Sequence, residues 1–321
     1  RQIVWQVKTL GEIGDGVDCS TPDADIPDWL DVITPSRARL STQATGAGPH
    51  EDPSLLAPTA GYRGLENRHY RVEIHDGTVP GPATFKWSRD NGIVASLVTA
   101  IPDLSRLTVV SVGKDDVLRF HDGDWIEITD DARELAGEPG IVRRIQHVDD
   151  ATRTIELHDA LPGGTFPVDA DGLTDPALHT RVRRWDQSGT VRDTDGNVLI
   201  ELSALNSDGV IPLPAAGTTV VLEDGIEITF DEVAGGGEIR SGDHWTFAAR
   251  TADGTVEELD EAPPRGIHHH YCRLAIVESD GSGFIGVPED CRPKFPPLTA
   301  IQPGCCTVIV RPGESIQAAL D

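Results

Sequence analysis

The chain has 321 residues, 53 acidic against 27 basic side chains, and a formal net charge of −26. That balance excludes the basic footprint through which proteins hold nucleic acid, while the length suffices for two or three modules that each bury their own core. No apolar run approaches the ~20 residues of a membrane helix, so no membrane span is expected.

Thirty-three Gly and 23 Pro are scattered without a period, which reads as turn punctuation between short strands and points to an all-β protein. Lys8, Lys86, Lys114 and Lys294 are the lysines, and the other basic residues are arginines. Such an acid-rich, Lys-poor surface suits a protein kept solvated in brine, although a GC-rich genome also shifts Lys to Arg. No Met occurs, even at position 1, so the chain is expected to begin inside a longer translation product. Cys19, Cys272, Cys291, Cys305 and Cys306 lack CxxC spacing, which argues against a zinc ribbon and for one or two disulfides in an oxidising compartment.

In chain order, IVWQVK (3–8) alternates apolar and polar residues as a half-buried strand does. Residues 11–59 are rich in Asp, Pro, Gly, Ser and Thr and read as an extended arm, so 1–60 form an N-terminal strand and arm. Residues 61–180 read as a first β module. Tyr70, Val72 and Ile74 share one face, Phe85 and Trp87 repeat the alternation, and VLRF, DWIEIT, GIVRRIQHV and TIELH are short strands between turns. Five or so strands in one run fit a small barrel or sandwich. A second module, 181–285, starts at RVRRWD and continues through VLIEL, TTVVLEDGIEITF and DHWTFAAR. Its EDGIEITF echoes DGDWIEIT, and SGDHWTFA repeats the Gly-Asp-x-Trp theme, although Gly-Asp turns before strands also recur by chance. Helix is expected only in DDARELAG and SIQAAL. A Pro-rich connector follows at 286–304, and 305–321 read as a strand, a turn and a short amphipathic helix.

The segments IVWQVK, GYRGLENRHYRVEIHDG, TFKWSRDNG, SGDHWTFAARTADG, GIHHHYCRLA and DCRPKFPPLT together resemble a family of bacterial and archaeal domains of unknown function, often encoded beside phage-tail-like contractile injection systems. Members of that family usually start with an additional N-terminal part that is not present here. The closing TVIVRPGESIQAALD is similar to the first coil of right-handed parallel β-helix domains. The two resemblances imply sandwich or barrel modules in tandem that lead into a truncated β-helix.

Three sets of side chains carry possible chemistry. On a strand, His268, His270 and Cys272 share one face and could be three zinc ligands, or could pack beside Tyr271 and Arg273. Asp193, Asp195 and Asn197, with Glu201 beyond, resemble half of a calcium loop, while an Asp-Gly hairpin turn explains RDTDGN equally well. Glu66, Lys86, Arg89 and Asp90 read as a salt-bridged turn rather than a catalytic set, with Asn91-Gly92 supplying positive φ. No GxSxG, HExxH or phosphate-cradling motif occurs, so no enzyme is expected. No resident cofactor is expected either, apart from a possible calcium or zinc ion.

The functional expectation is a structural and attachment protein: a spike, fibre or appendage subunit of an extracellular or tail-like particle. Its expected partners are itself as a homotrimer, other particle proteins and a cell-surface glycan. The alternative is the accessory region of a secreted polysaccharide-binding or polysaccharide-cleaving β-helix protein.

Overall fold

A computed structural model describes residues 5–11, 13–14, 16–26, 28–46, 61–77, 82–266, 269–292 and 317. The chain divides into two compact units, Leu30–His269 and a second that joins Arg1–Trp29 to His270–Asp321.

The larger unit is built from β1 (Ala38–Ala44), β2 (Arg68–Asp76), β3 (Thr84–Ser88), β4 (Ala95–Asp103), β5 (Arg106–Val109), β6 (Trp125–Thr129), β7 (Ile141–Asp149), β8 (Thr154–Leu157) and β9 (Arg181–Trp185). It continues with β10 (Thr190–Asp193), β11 (Val198–Glu201), β12 (Ile211–Pro212), β13 (Thr219–Val221), β14 (Ile226–Glu232), β15 (His244–Arg250) and β16 (Thr255–Val256). Two five-stranded sheets, ordered β1-β14-β13-β10-β11 and β12-β3-β2-β15-β16, form a sandwich. Their inner faces share one core, in which Phe230 meets Phe85 at 5.0 Å and Trp245 at 5.9 Å between ring centroids. The predicted stripe holds: Tyr70, Val72, Ile74, Phe85 and Trp87 all lie in that core.

Between β3 and β10 the chain makes a closed six-stranded antiparallel barrel, β4-β5-β8-β7-β6-β9, filled by residues such as Leu107, Ile126, Ile128, Ile155 and Val182. The modules are therefore nested rather than in tandem, because β2 pairs with β3 and, across the whole barrel, with β15. Arg181–Trp185, expected to open a second module, instead closes the barrel by pairing with both β4 and β6. Period-two alternation says which face of a strand is buried but not which sheet it joins.

The predicted arm contains β1, antiparallel to β14 over its full length. Its inward residues Ala38, Leu40, Thr42 and Ala44 are small apart from Leu40, so the strand lacks a strong apolar signal. Residues 5–8 of the expected first strand adopt no strand pairing. DDARELAG does form a helix, Asp131–Ala136, capped by the Asp130 carboxylate on Arg133 N–H and ended by left-handed Gly137. A second helical turn lies at Trp29–Ile33. Among the described residues no helix is long and apolar enough to cross a membrane.

The Gly-Asp echo is a shared turn rather than a duplicated module. At His121–Asp124 and again at Arg240–Asp243, the Asp N–H donates to the carbonyl of the residue three before it, and its carboxylate accepts that residue's N–H. Gly123 and Gly242 occupy the positive-φ corner, and each donates its N–H to an isoleucine carbonyl of the facing strand, Ile145 or Ile74. One turn starts a barrel strand and the other a sandwich strand.

In the smaller unit, β17 (Ala275–Ser279) and β18 (Phe284–Asp290) form a hairpin, so part of the expected connector is a strand. A Cys19–Cys291 disulfide and an Arg273–Asp23 ion pair of 3.2 Å tie residues 19–23 to this segment. An isolated hairpin is marginal in water, and a cross-link of this kind restricts the unfolded chain. The expected β-helix start at 305–321 lies outside the described residues except Gln317.

Phe230→Ala should lower unfolding free energy by about 3–5 kcal/mol, the usual cost of emptying an aromatic site in a packed core. Denaturant unfolding followed by tryptophan fluorescence measures it, and a loss near zero would mean the two sheets do not share this core.

Candidate functional site

Alternation along β2 and β3 sends one set of side chains into the sandwich core and the other set, Arg71, Glu73, His75, Lys86 and Ser88, to the opposite face. Glu73 and Lys86 are cross-strand partners there. The barrel wall meets this face through β6 and β9. With Ile126, Ile128 and Val182 turned into the barrel, Glu127 and Trp185 reach the outer seam. Both β6 and β3 are consequently buried on both faces.

Lys86 Nζ contacts Glu127 Oε1 directly and lies 3.2 Å from Glu73 Oε1, 3.5 Å from His75 Nδ1 and 4.6 Å from the centre of the Trp185 ring. Trp185 Nε1 donates to Glu127 Oε2 at 3.1 Å, and Arg71 Nε donates to Glu73 Oε2 at 2.6 Å. Lys86 is 2% exposed. Burial pushes both carboxyls up, but Lys86, aided by Arg71 at Glu73 and by His75 at Glu127, outweighs it and holds both below the ordinary range. Two carboxylates, one ammonium and one guanidinium balance, as they must where an unpaired buried charge costs several kcal/mol. Gly140 makes room: a Cβ there would stand 2.5 Å from Glu127 Cγ.

Beside the seam, Arg89–Gly92 turn with Asp90, Asn91 and Gly92 at φ of 50°, 57° and 65°. The Asp186 carboxylate holds this turn by accepting from Ser88 Oγ and Arg89 N–H, both at 2.8 Å. The four residues do not pair with one another; each forms its ion pairs with residues outside the set. Arg68 joins Glu66 and Asp90, Arg89 binds Glu223 through Nε at 2.7 Å, and Lys86 belongs to the seam. A cleft of about 230 Å³ between the turn and the barrel is lined by Arg68, Asp90, His121, Asp124 and Arg184. Burial raises the Asp124 carboxyl, with the His121 N–H and Arg184 pulling the other way.

Asp193, Asp195 and Asn197 form a hairpin turn in which Asn197 donates to the Asp193 carboxylate from N–H and Nδ2, each at 2.8 Å. That amide holds the Asp193 carboxyl below its ordinary range. Glu201 accepts from Ser203 N–H at 3.0 Å instead of facing this turn's oxygens. Of the zinc candidates, His268 lies outside the described residues, while His270 and Cys272 are exposed. Among the described residues no three His, Cys, Asp or Glu side chains converge on a point that could hold a metal. Sequence reasoning missed Glu73, Glu127 and Trp185. The available signal was Lys86 itself, a lysine between Phe85 and Trp87 in a chain that otherwise favours arginine.

Gly140→Ala should cost about 1–3 kcal/mol by driving a methyl into Glu127, read as a lowered unfolding temperature. An unchanged transition would mean that Glu127 is free to move. Calcium added to the metal-free protein should leave the unfolding temperature unchanged, because the Asn197 amide already occupies Asp193. A saturable rise, lost in Asp193→Ala, would establish a calcium site.

No curated protein and no solved structure matches the chain. One family does, described as a family of unknown function (DUF6519), and it covers residues 32–303, which include the whole sandwich and barrel. The chain belongs to this family of unknown function (DUF6519).

Proposed function

We propose that the chain is a structural and attachment protein, a spike, fibre or appendage subunit of a phage-tail-like or other extracellular particle. The observation that carries this reading is the seam. Lys86, Glu73 and Glu127 are buried between sandwich and barrel and spent on fixing one to the other. A rigid pair of β bodies suits a part that transmits force or presents a surface. The Cys19–Cys291 disulfide favours an oxidising, extracellular setting. In the smaller unit the hairpin leaves Phe284, Ile285 and Val287 open to solvent, a surface suited to contact with further copies or other particle proteins. Self-assembly as a homotrimer and attachment to a cell-surface glycan complete the proposal.

Fractionation of the producing cells and their culture medium tests it. The chain should sediment with particles and copurify with sheath and baseplate proteins, and native mass of the released subunit should be a multiple of the chain mass. A soluble monomer that never enters particles and degrades an acidic glycan would replace this reading with that of a secreted polysaccharide-active protein.

A further inference from the structure

We propose that Lys86 and Glu127 are joined by an isopeptide bond that cross-links the sandwich to the barrel inside their seam. The first ground is the choice of residue. Of 27 basic residues four are lysines, yet among the described residues the basic side chain sealed deepest is Lys86. Arginine is the better partner for a buried ion pair, since it presents a rigid fork to a carboxylate and sheds water more easily. Lysine offers what arginine cannot, an amine that becomes a nucleophile once it loses a proton in a dry site.

The second ground is the set of groups around the two reacting atoms. The ε-amine touches the Glu127 carboxyl, and the strands β3 and β6 hold both in place. Trp185 Nε1–H, 3.1 Å from Glu127 Oε2, is aimed at the oxygen that gains charge when the carboxyl carbon is attacked. Glu73, 3.2 Å from Nζ, can carry a proton away from the nitrogen, and the Trp185 ring covers the amine and keeps water out. These are a nucleophile, an electrophile, an oxyanion donor and a proton carrier, preorganised by the fold.

The step balances without oxidant, reductant or cofactor. A proton passes from the Lys86 ammonium to Glu127 Oε1, which leaves a neutral amine and a neutral acid. The nitrogen lone pair attacks Cδ and forms the C–N bond while Oε2 takes negative charge beneath the Trp185 N–H. Glu73 accepts a proton from nitrogen and returns it to the Oε1 hydroxyl. That oxygen leaves as water, the Cδ–Oε1 bond breaks, and the carbonyl reforms at Oε2. One ammonium and one carboxylate become one amide and one water.

Mass spectrometry of the full chain, after reduction and alkylation of its cysteines, decides the matter. The wild type should be one water lighter than its sequence, and digestion should release a branched peptide containing both Lys86 and Glu127. Lys86→Arg keeps the charge but cannot form the amide, so it should have the full sequence mass. Glu73→Gln keeps the shape but removes the proton carrier, so it should shift the population towards full mass. A wild type at full mass, with the Lys86 and Glu127 peptides recovered separately, holds a plain ion pair and overturns the proposal. A Glu73→Gln protein as fully dehydrated as the wild type would overturn the role given to Glu73.

Discussion

The structure of the larger unit depends on a layer of charge kept dry between two β surfaces. The outer face of a sandwich sheet and the outer wall of a small barrel are ordinarily wetted, and their alternating polar residues stay in water. Here the two faces close on one another, so Glu73, Lys86 and Glu127 lose their water together, with half-buried Arg71 at the margin. That is tolerable because the charges compensate within the layer, and it makes the layer demanding. Glu127 of the barrel has to meet Lys86 of the sandwich across the seam, which fixes the placement of barrel on sheet in a way that apolar contact, being non-directional, would not.

The nested connection supplies the geometry that such a layer requires. The chain leaves the sandwich at the Ser88–Gly92 turn and returns through Asp186 and Gln187, and exit and entry are held side by side. Asp186 N–H donates to the Trp87 carbonyl at 3.0 Å, and the Gln187 side chain takes the Trp87 N–H and donates to the Gly209 carbonyl. A domain inserted through adjacent ends adds little loop-closure cost and cannot swing far from its host. The left-handed residues Asp90 and Asn91 belong to the same device, since they reverse the chain within one turn and present Asp90 to Arg68.

Much of the fold was legible where side-chain size alternates strongly. Tyr70, Val72, Ile74, Phe85 and Trp87 announce a buried sheet face, and the strands from Trp125 to Leu157 announce a small barrel. Illegible were the features set by long-range pairing. Arg181–Trp185 has the same local pattern whether it opens a sandwich or closes a barrel, and Ala38–Ala44 is buried through small side chains that mimic loop composition. The seam was half legible. Glu73 and Glu127 read as ordinary solvent-facing positions of alternating strands, because nothing local says that another module covers them. The lysine flanked by Phe85 and Trp87 was the local exception, since β3 is buried on both faces.

The distribution of charge also bears on how copies of the chain could meet. The excess acid that gives −26 is carried outside the seam, within which Lys86 and Arg71 offset Glu73 and Glu127. Like-charged subunits repel over about a Debye length, ~8 Å at physiological salt, so contact between copies is favoured where apolar side chains can offset that repulsion. Such side chains gather at the far end of the β17–β18 hairpin, where a bulge opposite Val277 pushes Val287 almost fully into solvent beside exposed Phe284 and Ile285. The acidic residues Glu289 and Asp290 sit at the other end of the same strand, next to Cys291. Self-assembly through the apolar end would leave the carboxylates in water, and the disulfide would anchor the hairpin from its charged end.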